Sequence, residues 1–307
     1  MKIVYFGTPH FAAEVLRFLL ENKVEVAAVV TQPDRPKGRS LQLTSSPVKE
    51  VAVQASLPIF QPEKASQEIF LSQLADVKAD LYVVVAFGQI LTQKLLDIPR
   101  LGCINVHASL LPKYRGAAPI QRCLMDGETE TGVAIQKMVR KLDAGDVIAS
   151  SKIAIPSEMT FAELEAGLIE ITKPLLLQVI HRYATEIPEG VAQDESLVTY
   201  ASKIEMAEGE IHWNRDAEEL HNLIRAFSPR PGAWAWIYSS GERKRLKILR
   251  AKCVPFNGKP GELSPSAIVS CGKQSLQLID VQPEGKKVMK AEDWLRGQKN
   301  ISFLQNI

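Results

Sequence analysis

Long apolar runs, paired cysteines and a glycine-rich phosphate loop are all missing from this chain of 307 residues, and each absence narrows what it does. No apolar stretch approaches the ~18 residues that span a bilayer, and the opening M-K-I-V-Y-F-G-T-P enters a turn too soon for a signal core. A cytoplasmic chain with no membrane partner is expected. The 4 cysteines, Cys103, Cys123, Cys253 and Cys271, have neither CxxC spacing nor paired histidines. That argues against a zinc site and a disulfide framework, and no metal is expected. Cys103 would share a strand face with His107, but their Cα atoms would stand ~13 Å apart, which discards a thiol–imidazole dyad. The first turn, F-G-T-P-H-F, lacks G-x-G-x-x-G, and no acidic residue follows where a ribose would need one. This argues against a nicotinamide dehydrogenase.

What is present is an ordinary globular composition, 46% hydrophobic and 23% charged, in a chain long enough for two domains. Residues 2–6 and Val24 to Val30 read as buried strands around a helix from Pro9 to Glu21, with Phe11, Val15, Leu16, Leu19 and Leu20 at helical spacing. Further strands are expected at Leu57 to Phe60, Asp80 to Phe87 and Leu101 to His107. D-L-Y-V-V-V-A-F is the near-continuous apolar run of a strand covered on both faces. The fold class is therefore α/β, a Rossmann-like, doubly wound, mostly parallel sheet. A long helix over Phe161 to Thr185 leads to the breaker-rich I-P-E-G-V-A-Q-D-E-S, and short strands between Gly/Pro turns beyond it suggest a small β-barrel. We expect a catalytic domain over 1–189, a linker over 190–207 and a C-terminal barrel over 208–307.

Net charge is +2, but its distribution is uneven: from Glu208 onward there are 16 Lys+Arg against 11 Asp+Glu. Arg243, Lys244, Arg245, Lys247, Arg250 and Lys252 crowd ten positions. Two readings stay open, a solvated edge strand defended by cations and a contact surface for phosphates. Thr31 to Lys49, with Arg35, Lys37 and Arg39, is too long and polar for an ordinary connection, and such loops are usually functional.

The chemistry concentrates in N-V-H-A-S-L-L-P-K-Y-R-G, Asn105 to Gly116, and L-D-A-G-D, Leu142 to Asp146. On a strand, Asn105 and His107 point the same way with Cα atoms about 7 Å apart, so both side chains can reach one small group. An amide and an imidazole so placed suit a carbonyl under attack: Asn105 can stabilise oxygen charge and His107 can move the nucleophile's proton. Asp143 would supply the carboxylate. In open α/β sheets ligands bind beyond the carboxyl ends of strands, where Ala86-Phe87-Gly88 and Asn105-Val106-His107 both fall.

These motifs, preceded by V-V-V-A-F-G-Q-I-L, closely resemble the folate-dependent formyltransferases. F-G-T-P-H-F-A, T-Q-P-D-R-P-K-G-R, G-A-A-P-I-Q-R, L-V-T-Y-A-S-K-I and R-A-F-S-P-R-P-G-A-W extend the resemblance over nearly the whole chain, and towards the branch acting on methionyl-tRNA. The resemblance implies that 10-formyltetrahydrofolate, as co-substrate, gives its formyl group to the α-amine of methionyl initiator tRNA. The alternatives are a formyltransferase acting on another amine, of an amino-sugar nucleotide or a ribotide, and a non-catalytic folate- or RNA-binding relative. It further implies a folate crevice along Phe87, Gly88, Gln89, Ile90, Leu91, Ser109, Leu110, Leu111 and Pro112, although packing alone would also account for apolar residues there. Arg35, Lys37 and Arg39 would meet the acceptor stem, and Arg243, Lys244, Arg245 and Lys247 of an OB-like barrel would hold its backbone. No obligate protein partner is implied. One departure stands out: Val139 and Lys141 occupy positions where the family has an acidic residue and a glycine before L-D-x-G-D.

Overall fold

The structure, a computed structural model, describes residues 1–37, 42–239, 242–298 and 301–303. Two compact units form. One comprises Met1–Pro119, Glu130–Ile153 and Glu165–Ala201; the other comprises Ile120–Thr129, Ala154–Leu164 and the chain from Ser202 onward.

The first unit starts with β1 (Ile3–Gly7), α1 (His10–Glu21) and β2 (Val26–Val30). Every residue of β1 is buried, and α1 turns Phe11, Val15, Leu16 and Leu19 inward, as the apolar spacing predicts. Then come β3 (Arg35–Lys37), β4 (Gln42–Thr44), α2 (Pro47–Gln54) and β5 (Ile59–Phe60). β3 and β4 pair as a hairpin inside the long polar connection. Ser46 caps α2 by accepting from the Lys49 N–H at 3.1 Å, and Pro47 fits the first helical turn, where no N–H is needed.

α3 (Glu68–Asp76), β6 (Leu81–Val85), α4 (Gln93–Leu96), β7 (Cys103–His107), β8 (Arg115–Gly116), α5 (Pro119–Met125), β9 (Glu130–Lys137), β10 (Val147–Ala154), α6 (Phe161–Tyr183) and β11 (Tyr200–Ala201) follow in chain order, α5 from Ile120 on belonging to the second unit. The seven-stranded sheet runs β10-β9-β7-β6-β1-β2-β5, parallel from β7 to β5, with β9 antiparallel to β7. Bonds from the Lys137 N–H to the Asp146 carbonyl and from the Ile155 N–H to the Thr129 carbonyl flank β9 and β10 in antiparallel register. The chain winds outward from β1 to β5 and restarts on the other side of β1 with β6. The carboxyl ends of β1 and β6 therefore part at a switch point, which leaves a crevice. Val4, Phe6, Tyr82, Val84, Cys103, Phe70 and Leu74 form one core layer. Each fully buried leucine in it contributes about 1.5–3 kcal/mol. Part of the segment expected as a linker bonds back to this unit: Val147 and Val191 exchange two backbone bonds at 2.9 Å, and β11 pairs with β8.

In the second unit α7 (Ala217–Phe227) buries Leu220, Leu223, Ile224 and Phe227. β12 (Ala233–Ser239), β13 (Glu242–Val254), β14 (Ile268–Ser270), β15 (Ser275–Pro283), β16 (Met289–Lys290), α8 (Ala291–Arg296) and β17 (Ser302–Phe303) follow. The strands form an antiparallel sheet ordered β14-β15-β13-β12-β17, with β16 on β15. The register of β13 against β15 slips between Ile248 and Ala251, a bulge that bends this long strand and curls the sheet, as an OB-like unit requires. Among the described residues no helix is long and apolar enough to cross a membrane.

Candidate functional site

β7 begins in the core at Cys103 and ends in polar residues on the same face. Cys103, Asn105 and His107 alternate with Ile104 and Val106, so the face that packs at its start carries an amide and an imidazole at its end. β9 places Gln136 opposite Asn105. The loop between β9 and β10 then brings in Asp143, whose backbone holds a φ of 49°.

The four side chains converge. Oδ1 of Asp143 accepts from Nε2 of Gln136 at 3.1 Å and Nδ2 of Asn105 at 3.4 Å. Oδ2 accepts from the Gly116 N–H at 2.9 Å and stands 3.7 Å from Nδ1 of His107. Nε2 of buried His107 lies 2.8 Å from the Tyr114 carbonyl oxygen. A carbonyl only accepts, so Nε2 carries the proton, and the lone pair of the neutral ring sits on Nδ1, facing the carboxylate. Asn105, His107 and Asp143, predicted from sequence, thus come together. Gln136, the Gly116 N–H and the Tyr114 carbonyl belong to the same network and were not anticipated. Gln136 left a trace in the sequence, as the polar residue near the end of the apolar strand V-A-I-Q.

Residues 109–116 are folded tightly against β7. Ser109 is buried, and its Oγ donates to the Lys113 carbonyl at 2.6 Å. Thr199 accepts from the Tyr114 and Arg115 N–H groups, both at 2.9 Å, at its Oγ1 and its carbonyl respectively. At Gly116 φ is 128°, and a Cβ would meet the Ala201 carbonyl oxygen at 2.5 Å, so glycine alone fits. Leu110, Leu111 and Pro112 are half-buried.

After β6 the chain turns through Ala86 and Gly88, with φ of 48° and 86°. Phe87 packs edge-on against Phe6 at 5.5 Å, and its carbonyl accepts from Oγ1 of Thr8 and Nε2 of Gln32. Gln89 spans to the neighbouring loop, accepting from the Ala65 N–H at 2.7 Å and donating to the Pro62 carbonyl at 3.0 Å. Leu91 is core, whereas Ile90 is 86% exposed. Of these five residues, Gly88 and Ile90 present an open surface; Phe87, Gln89 and Leu91 hold the turn from behind.

The cations expected to meet tRNA are dispersed. Arg35 is exposed and paired with Glu63 at 2.5 Å; Lys37 ends β3; Arg39 lies outside the described residues. On β13 strand parity separates them. Arg243, Arg245 and Lys247 pair with Tyr238, Trp236 and Trp234, while Lys244 pairs with Ile237 and bonds Glu242 at 2.6 Å. Arg243 lies over Trp236 at 3.9 Å, and Arg245 lies 5.0 Å from Trp234 and 5.1 Å from Trp236. Lys247 donates to the Pro231 carbonyl. The indoles were missed at the sequence level, although W-A-W-I-Y alternates as a strand with one aromatic face.

Known proteins share this architecture. Residues 1–180 match the formyl transferase family, and residues 203–299 match the formyl transferase C-terminal domain. The methionyl-tRNA formyltransferase of Protochlamydia amoebophila is 50% identical over 100% of this chain and 98% of its own. That of Pseudomonas fluorescens is 43% identical over 97% and 94%. HypX from Aquifex aeolicus, solved in complex with tetrahydrofolic acid, aligns with 96% of this chain and 47% of its own at a TM-score of 0.66 and 15% identity, a likeness of fold. With both domains matched and full-length relatives at this identity, the chain belongs to the methionyl-tRNA formyltransferase branch of the formyl transferase family.

Proposed function

We propose that this enzyme transfers the formyl group of 10-formyltetrahydrofolate to the α-amine of methionyl initiator tRNA, giving N-formylmethionyl-tRNA and tetrahydrofolate. The observation that carries it is the convergence of Asn105, His107 and Asp143 at the carboxyl end of β7. The folate supplies an activated formyl carbonyl and a nitrogen that departs as an amine. An α-amine has a reference pKa of ~7.7–8.0, so its neutral, nucleophilic form is accessible near neutrality. Asn105 donates to the formyl oxygen as that oxygen gains charge; its amide has two hydrogens, and the bond to Asp143 uses one. Nδ1 of His107 takes the proton released by the attacking amine, while the Tyr114 carbonyl holds the opposite side of the ring. A proton on Nδ1 then meets the negative Oδ2 of Asp143 and passes to the folate nitrogen as its bond to the formyl carbon breaks, so that it leaves as a neutral amine.

The residues fit a flat ring system with a polar reacting end. Bare backbone at Gly88, exposed Ile90 and half-buried Leu110, Leu111 and Pro112 offer apolar walls, and Phe87, Gln89, Leu91 and Ser109 stiffen them from behind. In this reading residues 1–189 carry the chemistry, 190–207 joins, and 208–307 holds the tRNA. Arg243 and Arg245 supply charge for phosphates, and Trp234 and Trp236 supply faces on which unpaired bases stack. Lys244 and Lys247 add charge to the same strand, and Arg35, Lys37 and Arg39 meet the acceptor end.

The test is formyl transfer from 10-formyltetrahydrofolate to methionyl initiator tRNA, with uncharged tRNA, free methionine and an amino-sugar nucleotide as controls. Rapid formylation of the charged tRNA alone is expected. Transfer to the sugar amine instead, or folate binding without transfer, would sink the reading.

A further inference from the structure

The Asp143 loop is clamped from above by a residue of the 190–201 segment. Nε2 of Gln193 donates to the Asp143 carbonyl at 2.8 Å and the Gly145 carbonyl at 2.7 Å, its two shortest bonds, and stands 3.3 Å from Oε1 of Gln136. Oε1 of Gln193 accepts from Nε and Nη2 of Arg115 at 3.1 and 2.8 Å. Arg115 is fully buried and only donates, so it fixes which way the Gln193 amide faces. Nη2 of Arg115 also reaches Glu195 at 2.9 Å, and Glu195 accepts from Nζ of Lys141 at 2.6 Å. Lys141, the departure from the family pattern, is thereby a second tie on the loop that carries Asp143.

From below the loop rests on β9: the Lys137 N–H donates to the Asp146 carbonyl at 2.9 Å, and a Cβ on Gly145 would meet the Lys137 carbonyl oxygen at 1.7 Å. Between these supports Asp143 adopts a left-handed φ of 49°, which an L-residue occupies at a cost and keeps when its surroundings impose it. No other uncharged side chain of this length gives two hydrogens to two carbonyls while accepting a guanidinium at its far atom.

We propose that Gln193 is a positioning residue. Through the Asp143 and Gly145 carbonyls it sets where the Asp143 carboxylate stands relative to His107 and Asn105, with Glu195 and Lys141 as an outer tie. The inference rests on the role assigned to Asp143 above.

The experiment uses the full chain with Gln193→Glu, Gln193→Ala, Asp143→Ala and the two double variants. Gln193→Glu keeps the acceptor for Arg115 and removes both hydrogens from the loop, so it separates the clamp from folding. Arg140 and Lys141 are exposed tryptic sites in the clamped loop, and cleavage there reports its opening. Both Gln193 variants should be cut faster at these sites. They should also lose about tenfold or more in kcat, because a misplacement near 1 Å costs that order of rate, with KM for folate and for tRNA unchanged. In the Asp143→Ala background the same substitutions should cost no further kcat. Unchanged cleavage, unchanged kcat in the single variants, or losses that add to those of Asp143→Ala would each overturn the proposal. Full activity of Asp143→Ala would overturn instead the role given to the carboxylate, and with it the catalytic half of this inference; the cleavage rates would still decide the clamp.

Discussion

Nδ1 of His107 and Oδ2 of Asp143 stand 3.7 Å apart, beyond hydrogen-bonding range and well inside the range of strong electrostatic contact. The gap follows from what each group is already bonded to. His107 is tied through Nε2 to Tyr114, and Asp143 is tied to Gly116, Gln136 and Asn105. In the proposed mechanism the imidazole keeps Nδ1 for a proton that arrives with the reaction.

Replacing His107 by Ala should lower kcat for formyl transfer by about 10²-fold or more while leaving the melting temperature within a few degrees, since proton transfer by a positioned group contributes on that order. Steady-state assays and a thermal melt on one preparation check it. Near-normal turnover would remove His107 from its role.

Asn105→Ala should cost about 10²–10³ in kcat if its amide stabilises the developing oxyanion, with a smaller change in KM. A loss confined to KM would mean that the amide binds ground state and transition state alike.

On β13, charge reversal at Arg243 and Arg245 should weaken tRNA binding and reduce the slope of log K against log salt by about 1 for each phosphate no longer neutralised. Trp236→Ala should weaken binding by about 1–3 kcal/mol with the salt slope unchanged, because stacking releases no counterions. Lys244→Glu should do less than Arg245→Glu, since Lys244 occupies the other strand face and is paired with Glu242. Equal effects would mean that parity does not sort these cations.

Hydrogen bonds from Arg115 and then Lys141 hold the Glu195 carboxyl down to about 2, from an ordinary 4.5. A folded-state pKa below the unfolded value gives stability that is present above pH 4.5 and is lost as pH falls towards about 2. Glu195→Gln should therefore melt below the parent above pH 4.5, and the two curves should converge in acid. Parallel curves throughout would contradict the pairing.

Gly145→Ala forces a methyl group onto the Lys137 carbonyl, and backbone on both sides must shift. A destabilisation of about 1–3 kcal/mol is expected from overpacking alone, with a fall in kcat as the Asp143 loop moves. Denaturant titration and turnover of the same variant measure the two effects.

Local pattern carried most of the fold. Continuous apolar runs marked β1, β2 and β6, helical spacing marked α1, and turn residues marked the antiparallel second unit, since burial imposes those periods directly on the chain. Period two put Asn105 and His107 on one face with no knowledge of their neighbours. It was equally able to separate Lys244 from Arg243 and Arg245, and to reveal the Trp234–Trp236 face, once the strand boundaries of β12 and β13 were known.

The remainder was decided by tertiary structure. Asp143 reaches Asn105 because β9 runs antiparallel to β7, a pairing of residues far apart in sequence that no local period encodes. Gln136 and Gly116 bond the Asp143 carboxylate and Gln193 bonds its backbone carbonyl, from three further segments, each selected by the need to satisfy buried polar groups in three dimensions. By itself the sequence determined which elements form and which face of β7 bears the chemistry. Only the folded chain decided where the carboxylate stands and what holds it there, because hydrogen-bond partners are chosen by distance in space and not by spacing along the backbone.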